Sequence, residues 1–188
     1  MGGYKSLLVY RTSVTIYDFN AIFCERFLSN PKYRRTVEQM TQASRSGKQN
    51  IAEASKELST SSDMVLNSVS RSSYTELIED YEDFLRSRNF PIWKKDDPRV
   101  MRIRAYKESV DTPTNLTNLS NWTNLDFSNP EHFTNLMICL CYKQGYLMDQ
   151  FLRSKEKRFT ERGGFRENLL KKRLEYRYKK TNLTNKSN

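Results

Sequence analysis

Apolar residues recur along the chain at helical spacing, and the longest unbroken case is also the barest. From Val37, steps of three and four pass through Met40, Ser44, Gly47, Ile51, Ala54 and Leu58. That repeat is the seam of a helix lying along other helices, so it predicts a helix over 32–58. Ser44, Gly47 and Ala54 stand where leucine is usual. A glycine inside a helix costs roughly 1 kcal/mol relative to alanine, and with Ser44 and Ala54 it predicts close approach by a neighbouring backbone. The expected packing seam is Ser44, Gly47, Asn50, Ile51 and Ala54, with Ser46 and Asn50 hydrogen-bonding across the contact.

The same spacing predicts a first helix over 7–28, stopped before Pro31. It carries two apolar stripes: Tyr10, Val14, Tyr17, Ala21, Cys24 and Leu28, and beside them Ile16, Phe19, Phe23 and Phe27. A helix with two stripes has two sides to bury, one in its own bundle and one against another subunit. A third helix, 62–89, follows the capping run "STSSD". It turns Leu66, Val69, Ser73, Leu77, Tyr81 and Phe84 inward and an acidic ridge of Glu76, Glu79, Asp80, Glu82 and Asp83 outward. A short helix is expected over 98–107. The fourth long helix opens on Asn129, Pro130 and Glu131 and runs to 161. Gly163 and Gly164 supply a left-handed stop, and a fifth helix spans 165–180 before a frayed polar tail. Between 111 and 128 the unit Thr-Asn-Leu recurs with period three. That period matches neither helix nor strand, and a surface loop is expected there. The fold class is all-α, divided into 1–161 and a basic C-terminal helix and tail, 162–188.

Charge sharpens this division. The net charge of +10 is unevenly spread: residues 1–152 hold 19 Lys and Arg against 18 Asp and Glu, and residues 153–188 hold 13 against 4. Of these thirteen cations, the candidate contacts are Arg153, Lys155, Lys157, Arg158, Arg162, Arg166, Lys171, Lys172, Arg173, Arg177, Lys179 and Lys180, with Lys186 left in the tail. Such a block marks a polyanion-binding face, or else a solvated helix that keeps the chain in solution. Phe165, Tyr176 and Tyr178 lie among the cations, where rings can stack on unpaired bases. No base-reading motif accompanies them, so the expected binding is not sequence-specific.

Other chemistry is sparse. Cys24, Cys139 and Cys141 cannot all pair, which suits a reducing cytoplasm. The amino terminus lacks the apolar run of a signal peptide, no stretch reaches membrane-spanning length, and the Asn-x-Ser/Thr sites carry no glycan in that setting. The one histidine, His132, has no ligand at metal spacing, and Cys139 and Cys141 point about 200° apart on a helix. "SGKQ" at 46–49 lacks the glycines and the strand of a phosphate loop. The expectation is a non-enzyme without metal or cofactor, cytoplasmic and off the membrane.

"VYRTSVTIYDF", "RTVEQMTQASRSGKQNIAEA" and "YTELIEDYEDFL" together resemble the bacterial four-helix bundle proteins encoded in intervening sequences of large-subunit (23S) ribosomal RNA genes. The signature falls on Ser44, Ser46, Asn50, Ile51, Ala52 and Glu53, while Gly47 and Lys48 depart from its commonest form. The resemblance covers about 7–90. Residues 129–177 resemble a suffix of longer members, with a Gly-Gly break before a basic helix. The fold is shared with the accessory variability determinant of diversity-generating retroelements. It implies an antiparallel four-helix bundle, a barrel-shaped homopentamer, binding to RNA or DNA, and a reverse transcriptase as protein partner. The expected function is a non-catalytic, oligomeric RNA-binding adaptor. The alternative is a protein–protein interaction scaffold with no nucleic-acid role.

Overall fold

Helices supply all the regular structure among the described residues: α1 (Leu8–Phe27), α2 (Arg34–Ala54), α3 (Thr60–Arg86), α4 (Pro98–Ala105), α5 (Leu116–Thr123), α6 (Pro130–Arg162) and α7 (Phe165–Thr184). The structure is a computed structural model and describes residues 3–57, 59–106 and 114–184, apart from the side chains of 162 and 180–184. Leu58 and residues 185–188, the end of the expected tail, therefore lie outside the described residues. α1 packs on α2 and α6, and α3 packs on the same two helices.

The α2 seam is where the spacing places it. Met40, Ser44, Gly47, Ile51 and Ala54 are buried and Val37 half-buried. The neighbour that requires a glycine is the side chain of Tyr74 of α3, where a backbone was expected. A Cβ on Gly47 would lie 2.6 Å from Tyr74 Cζ and 2.8 Å from its hydroxyl oxygen. Ser70 donates its hydroxyl to the Gly47 carbonyl at 2.6 Å, and Ser73 donates to Ser46 Oγ at 3.2 Å. Asn50 corrects the expectation. Its amide donates to Ser46 Oγ within α2, at 3.0 Å, so only the serine reaches across.

α1 faces the core with most of its second stripe and with Cys24 and Leu28 of the first, while Phe27 is half-buried. Ile16, Phe19 and Phe23 are buried, together with Thr12, Ser13 and Asn20, whereas Tyr10, Val14 and Tyr17 are half-buried and Ala21 is exposed. Phe23 gathers Phe84 at 4.9 Å, Tyr81 at 5.0 Å and Phe133 at 5.8 Å between ring centroids. Beside this aromatic knot the Tyr81 hydroxyl donates to Asn20 Oδ1 at 2.7 Å, and Asn20 Nδ2 donates to Ser44 Oγ at 3.2 Å.

Two further expectations need correction. The first half of α3 buries Asn67 and Ser70 rather than Leu66 and Val69, and Val69 is 46% exposed. The polar pair can enter the core because Asn67 donates to the Asp63 carbonyl at 2.8 Å and Ser70 is held by Gly47. The Thr-Asn-Leu segment contains a helix, α5, rather than only a loop. Asn115 caps it by accepting from the Asn118 N–H at 2.8 Å, and Asn124 ends it in the left-handed conformation. Over two turns, a spacing of three is close enough to 3.6 to bring Leu116 and Leu119 to one side. Leu119, Thr123 and Leu125 are buried.

The 90–97 segment is pinned to the start of α6. Trp93 donates its backbone N–H to Asn135 Oδ1 at 2.8 Å and its indole N–H to Glu131 Oε1 at 2.7 Å.

The Gly47 contact generates a stability prediction. Gly47→Leu should destabilise the protein by roughly 1–3 kcal/mol, read as a lower urea midpoint, because the buried ring has no room to retreat. In a Tyr74→Leu background the added cost of Gly47→Ala should shrink, since the two positions share one space. Equal costs in both backgrounds would mean that the ring does not set the limit.

Candidate nucleic-acid interface

The basic segment begins inside α6 and continues through a two-glycine break into α7. Gly163 adopts φ 70° and ψ 171°, a combination open almost only to glycine, and its N–H reaches back to the Phe159 carbonyl at 2.9 Å. This is the expected glycine stop, with ψ lying beyond the left-handed helical region. Gly164 precedes the first turn of α7 and donates its N–H to Glu167 Oε2 at 3.1 Å. A glutamate three residues into a helix that closes back on the capping residue fixes where the helix starts.

From 165 to 179 every described side chain of α7 is exposed. At 100° per residue, Phe165, Leu169 and Tyr176 fall within a 40° arc. Lys172 and Lys179 line one edge of that strip, and Arg166, Arg173 and Arg177 line the other. On the opposite side Leu170, Leu174 and Tyr178 form a second arc near Lys171. Spacing shows this alternation of rings and cations once residues 165–179 are projected round a helix, whereas a charge count does not. Arg166, Lys171, Lys172, Arg173 and Lys179 form no ion pair among the described residues. Tyr176 is 68% exposed and Leu169 56%.

The cations still within α6 behave differently. Lys155, expected at the interface, pairs with Asp63 at the start of α3 and has its ammonium 4.6 Å from the Phe151 ring centre. Its side chain is only 19% exposed, so it ties α6 to α3 and offers solvent little cationic surface. Lys157 lies 3.8 Å from Glu161 in an open pair that solvent largely screens. Arg153 and Arg158 are exposed, and Arg158 lines a small groove with Thr60, Asp63 and Asn168. The side chains of Arg162 and Lys180 lie outside the described residues.

The acidic ridge of α3 borders two grooves. One runs between α2 and α3 and collects Glu38, Glu76, Glu79, Asp80 and Asp83. Burial first, and then Asp83, Glu76 and Glu79, push the Asp80 carboxyl above its ordinary value. The second, about 460 Å³ between α3 and α6, has Glu79 and Glu82 beside Tyr142 and Tyr146. Arg71 bridges its end to Asp149, with Nη2 at 3.1 Å, and holds that carboxyl below the usual range.

Residues with catalytic potential have structural surroundings. Burial pushes the Cys24 and Cys139 thiols up to about 11 and that of Cys141 higher. His132 meets the Asp126 carbonyl at 3.1 Å and the edge of Trp93. Among the described residues no three His, Cys, Asp or Glu side chains converge at metal-binding distance, and no helix is long and apolar enough to cross a membrane. Compared with known proteins, the chain matches no family model, no curated protein and no solved structure.

Lys155 and the α7 cations should therefore separate by substitution. Lys155→Gln leaves Asp63 short of a charged partner and should cost about 1–3 kcal/mol of stability, with polyanion affinity unchanged. Thermal melts and an RNA titration of the same variant read both effects. A drop in affinity at unchanged stability would return Lys155 to the interface.

Proposed function

We propose that the protein is a non-catalytic, oligomeric adaptor that binds nucleic acid, RNA in the first place, through α7. The observation that carries this reading is the strip of Phe165, Leu169 and Tyr176 on a solvent-exposed helix, with cations along both edges. Phosphates neutralised by those cations release counterions, and unpaired bases stack on the rings whatever their identity. The frame is read as an antiparallel four-helix bundle of α1, α2, α3 and α6. Its support is the pairing of Asp63 with Lys155, Arg71 with Asp149 and Glu82 with Tyr142, whose α6 numbers fall as the α3 numbers rise. The family resemblance adds a homopentamer and a reverse transcriptase of a diversity-generating retroelement. The half-buried stripe of Tyr10, Val14 and Tyr17 on α1 is a surface on which copies can meet.

A protein-interaction scaffold is the second reading. It is favoured by the other arc of α7, where Leu170 and Leu174 are 57% and 54% exposed. Leucines contribute little to phosphate binding, and the acidic ridge offers a complementary surface on another copy.

Charge reversal at Lys171, Lys172 and Arg173 distinguishes the two readings. Anisotropy of a labelled single-stranded RNA should show affinity falling by roughly two orders of magnitude between about 50 and 200 mM salt, as for about five phosphate contacts. The triple Glu variant should lose most of that affinity with its sedimentation unchanged. Salt-independent binding, or loss of assembly with RNA binding intact, would favour the scaffold.

A further inference from the structure

The Thr-Asn-Leu repeat plays no part in the α7 reading, yet its fold holds one large ring in the open. α5 buries Leu119 and Thr123 and carries Trp122 on its outer side, 57% exposed. The indole N–H donates to the Arg102 carbonyl of α4 at 3.2 Å, and Tyr106 meets the ring edge-on at 6.2 Å between centroids. The ring is thus fixed in place while more than half of it faces water. Trp93, the other tryptophan of the chain, is 7% exposed with both of its N–H groups bonded inside the fold.

The surroundings of Trp122 are cationic. Residues 94–106 hold five Lys and Arg against two Asp. Lys94, Lys95, Arg102 and Arg104 are exposed. Arg104 donates to the Lys95 carbonyl at 3.3 Å and Arg102 reaches the Pro98 carbonyl at 3.5 Å, so both rest on backbone. None of the four forms an ion pair among the described residues. Among the described residues nearby, Asp97 receives both Nε and Nη2 of Arg99, Glu131 binds Trp93 with Arg99 3.6 Å away, and Asp96 is the one carboxylate left exposed without an ion pair.

A rigid, solvent-facing indole among exposed cations that outnumber the carboxylates matches an anionic chain that has an aromatic face to offer. Single-stranded nucleic acid has both, and its bases are unpaired and accessible, unlike those of a duplex. We propose that the α4–α5 face is a second nucleic-acid contact, in which one unpaired base stacks on Trp122 and adjacent phosphates lie against Arg102, Arg104 and the Lys94–Lys95 pair. This deepens the RNA-binding reading and rests on it for the class of ligand, but it uses none of the α7 residues.

The test uses the full chain, a roughly 12-nucleotide labelled oligouridylate at low salt, and two readouts, anisotropy and tryptophan emission. Wild-type emission should change on binding. Trp122→Ala should weaken binding about 5- to 100-fold, and Trp122→Phe should stay within about threefold of wild type while abolishing the emission change. Trp122 supports little of the core, so both variants should melt as wild type does. Unchanged affinity in Trp122→Ala overturns the proposal. So does emission that ignores saturating oligouridylate, or that follows protein concentration instead, which would make this face a contact between copies. If charge reversal on α7 weakens binding and Trp122→Ala does not, the α7 reading stands and this one falls. The converse leaves this site standing without α7. No binding by the wild type removes both.

Discussion

The ring of Tyr74 fills the space that a side chain at position 47 would occupy, and the relation of α2 to α3 follows from that exclusion. With hydrogen alone at 47, the two helices approach until Ser70 reaches the Gly47 carbonyl. The same contact sets the rotation of α3 about its axis. Leu77, Tyr81 and Phe84, one to three turns on, then face Phe23 of α1 and the interior. Burial raises the Tyr74 phenol well above its ordinary value. Ser13, Ser70 and Gln144 surround its oxygen, yet that oxygen makes no well-formed hydrogen bond. An unsatisfied buried hydroxyl costs free energy, so the ring's contribution here is one of shape.

A chain that is 37% hydrophobic builds this interior by using small polar residues as spacers. Ser13 and Ser44 bond to the carbonyls of Tyr10 and Thr41 in their own helices, and Ser73 to that of Val69. A serine bonded in this way presents little bulk and no free donor, so helices can close on it at modest cost. Asn20, Ser44 and Tyr81 go further and join α1, α2 and α3 at one level. A slip of α1 by one residue would break both bonds and a slip of α2 or α3 would break one, so polar contacts fix a register that leucines alone would leave loose.

This polar interior explains what was legible in the sequence. The α2 seam could be read because Met40, Ile51 and Ala54 keep strict spacing around the small residues. Apolar spacing misplaced the first half of α3, because Asn67 is buried on bonds to Asp63 one turn back and Ser70 on a bond to Gly47 that only the fold supplies. α1 offered two stripes, and only the aromatic partners on α3 and α6 select Phe19 and Phe23 over Tyr10 and Tyr17. Among the basic residues, the excess was visible in a count. The loss of Lys155 to Asp63 was not, since 92 residues separate the pair. Trp122 was hidden for a different reason: a period of three matches no regular α-helix, yet asparagine caps and a buried leucine make a short one.

Charge is segregated along α6, whose 33 residues extend about 50 Å. α4 and its cations pack near the Asn129 end, and α7 leaves from the Gly163 end. Between them lies the groove with Glu79 and Glu82, which repels a polyanion. Under the proposed function, a strand touching both cationic regions of one copy would have to span that distance away from the ridge. Copies arranged side by side shorten the path, because the α7 of one can stand nearer the α4–α5 face of the next. Under the proposed function, assembly and nucleic-acid binding would be coupled: an oligomer would set the spacing between weak contacts, and that spacing would set how much each adds to the others.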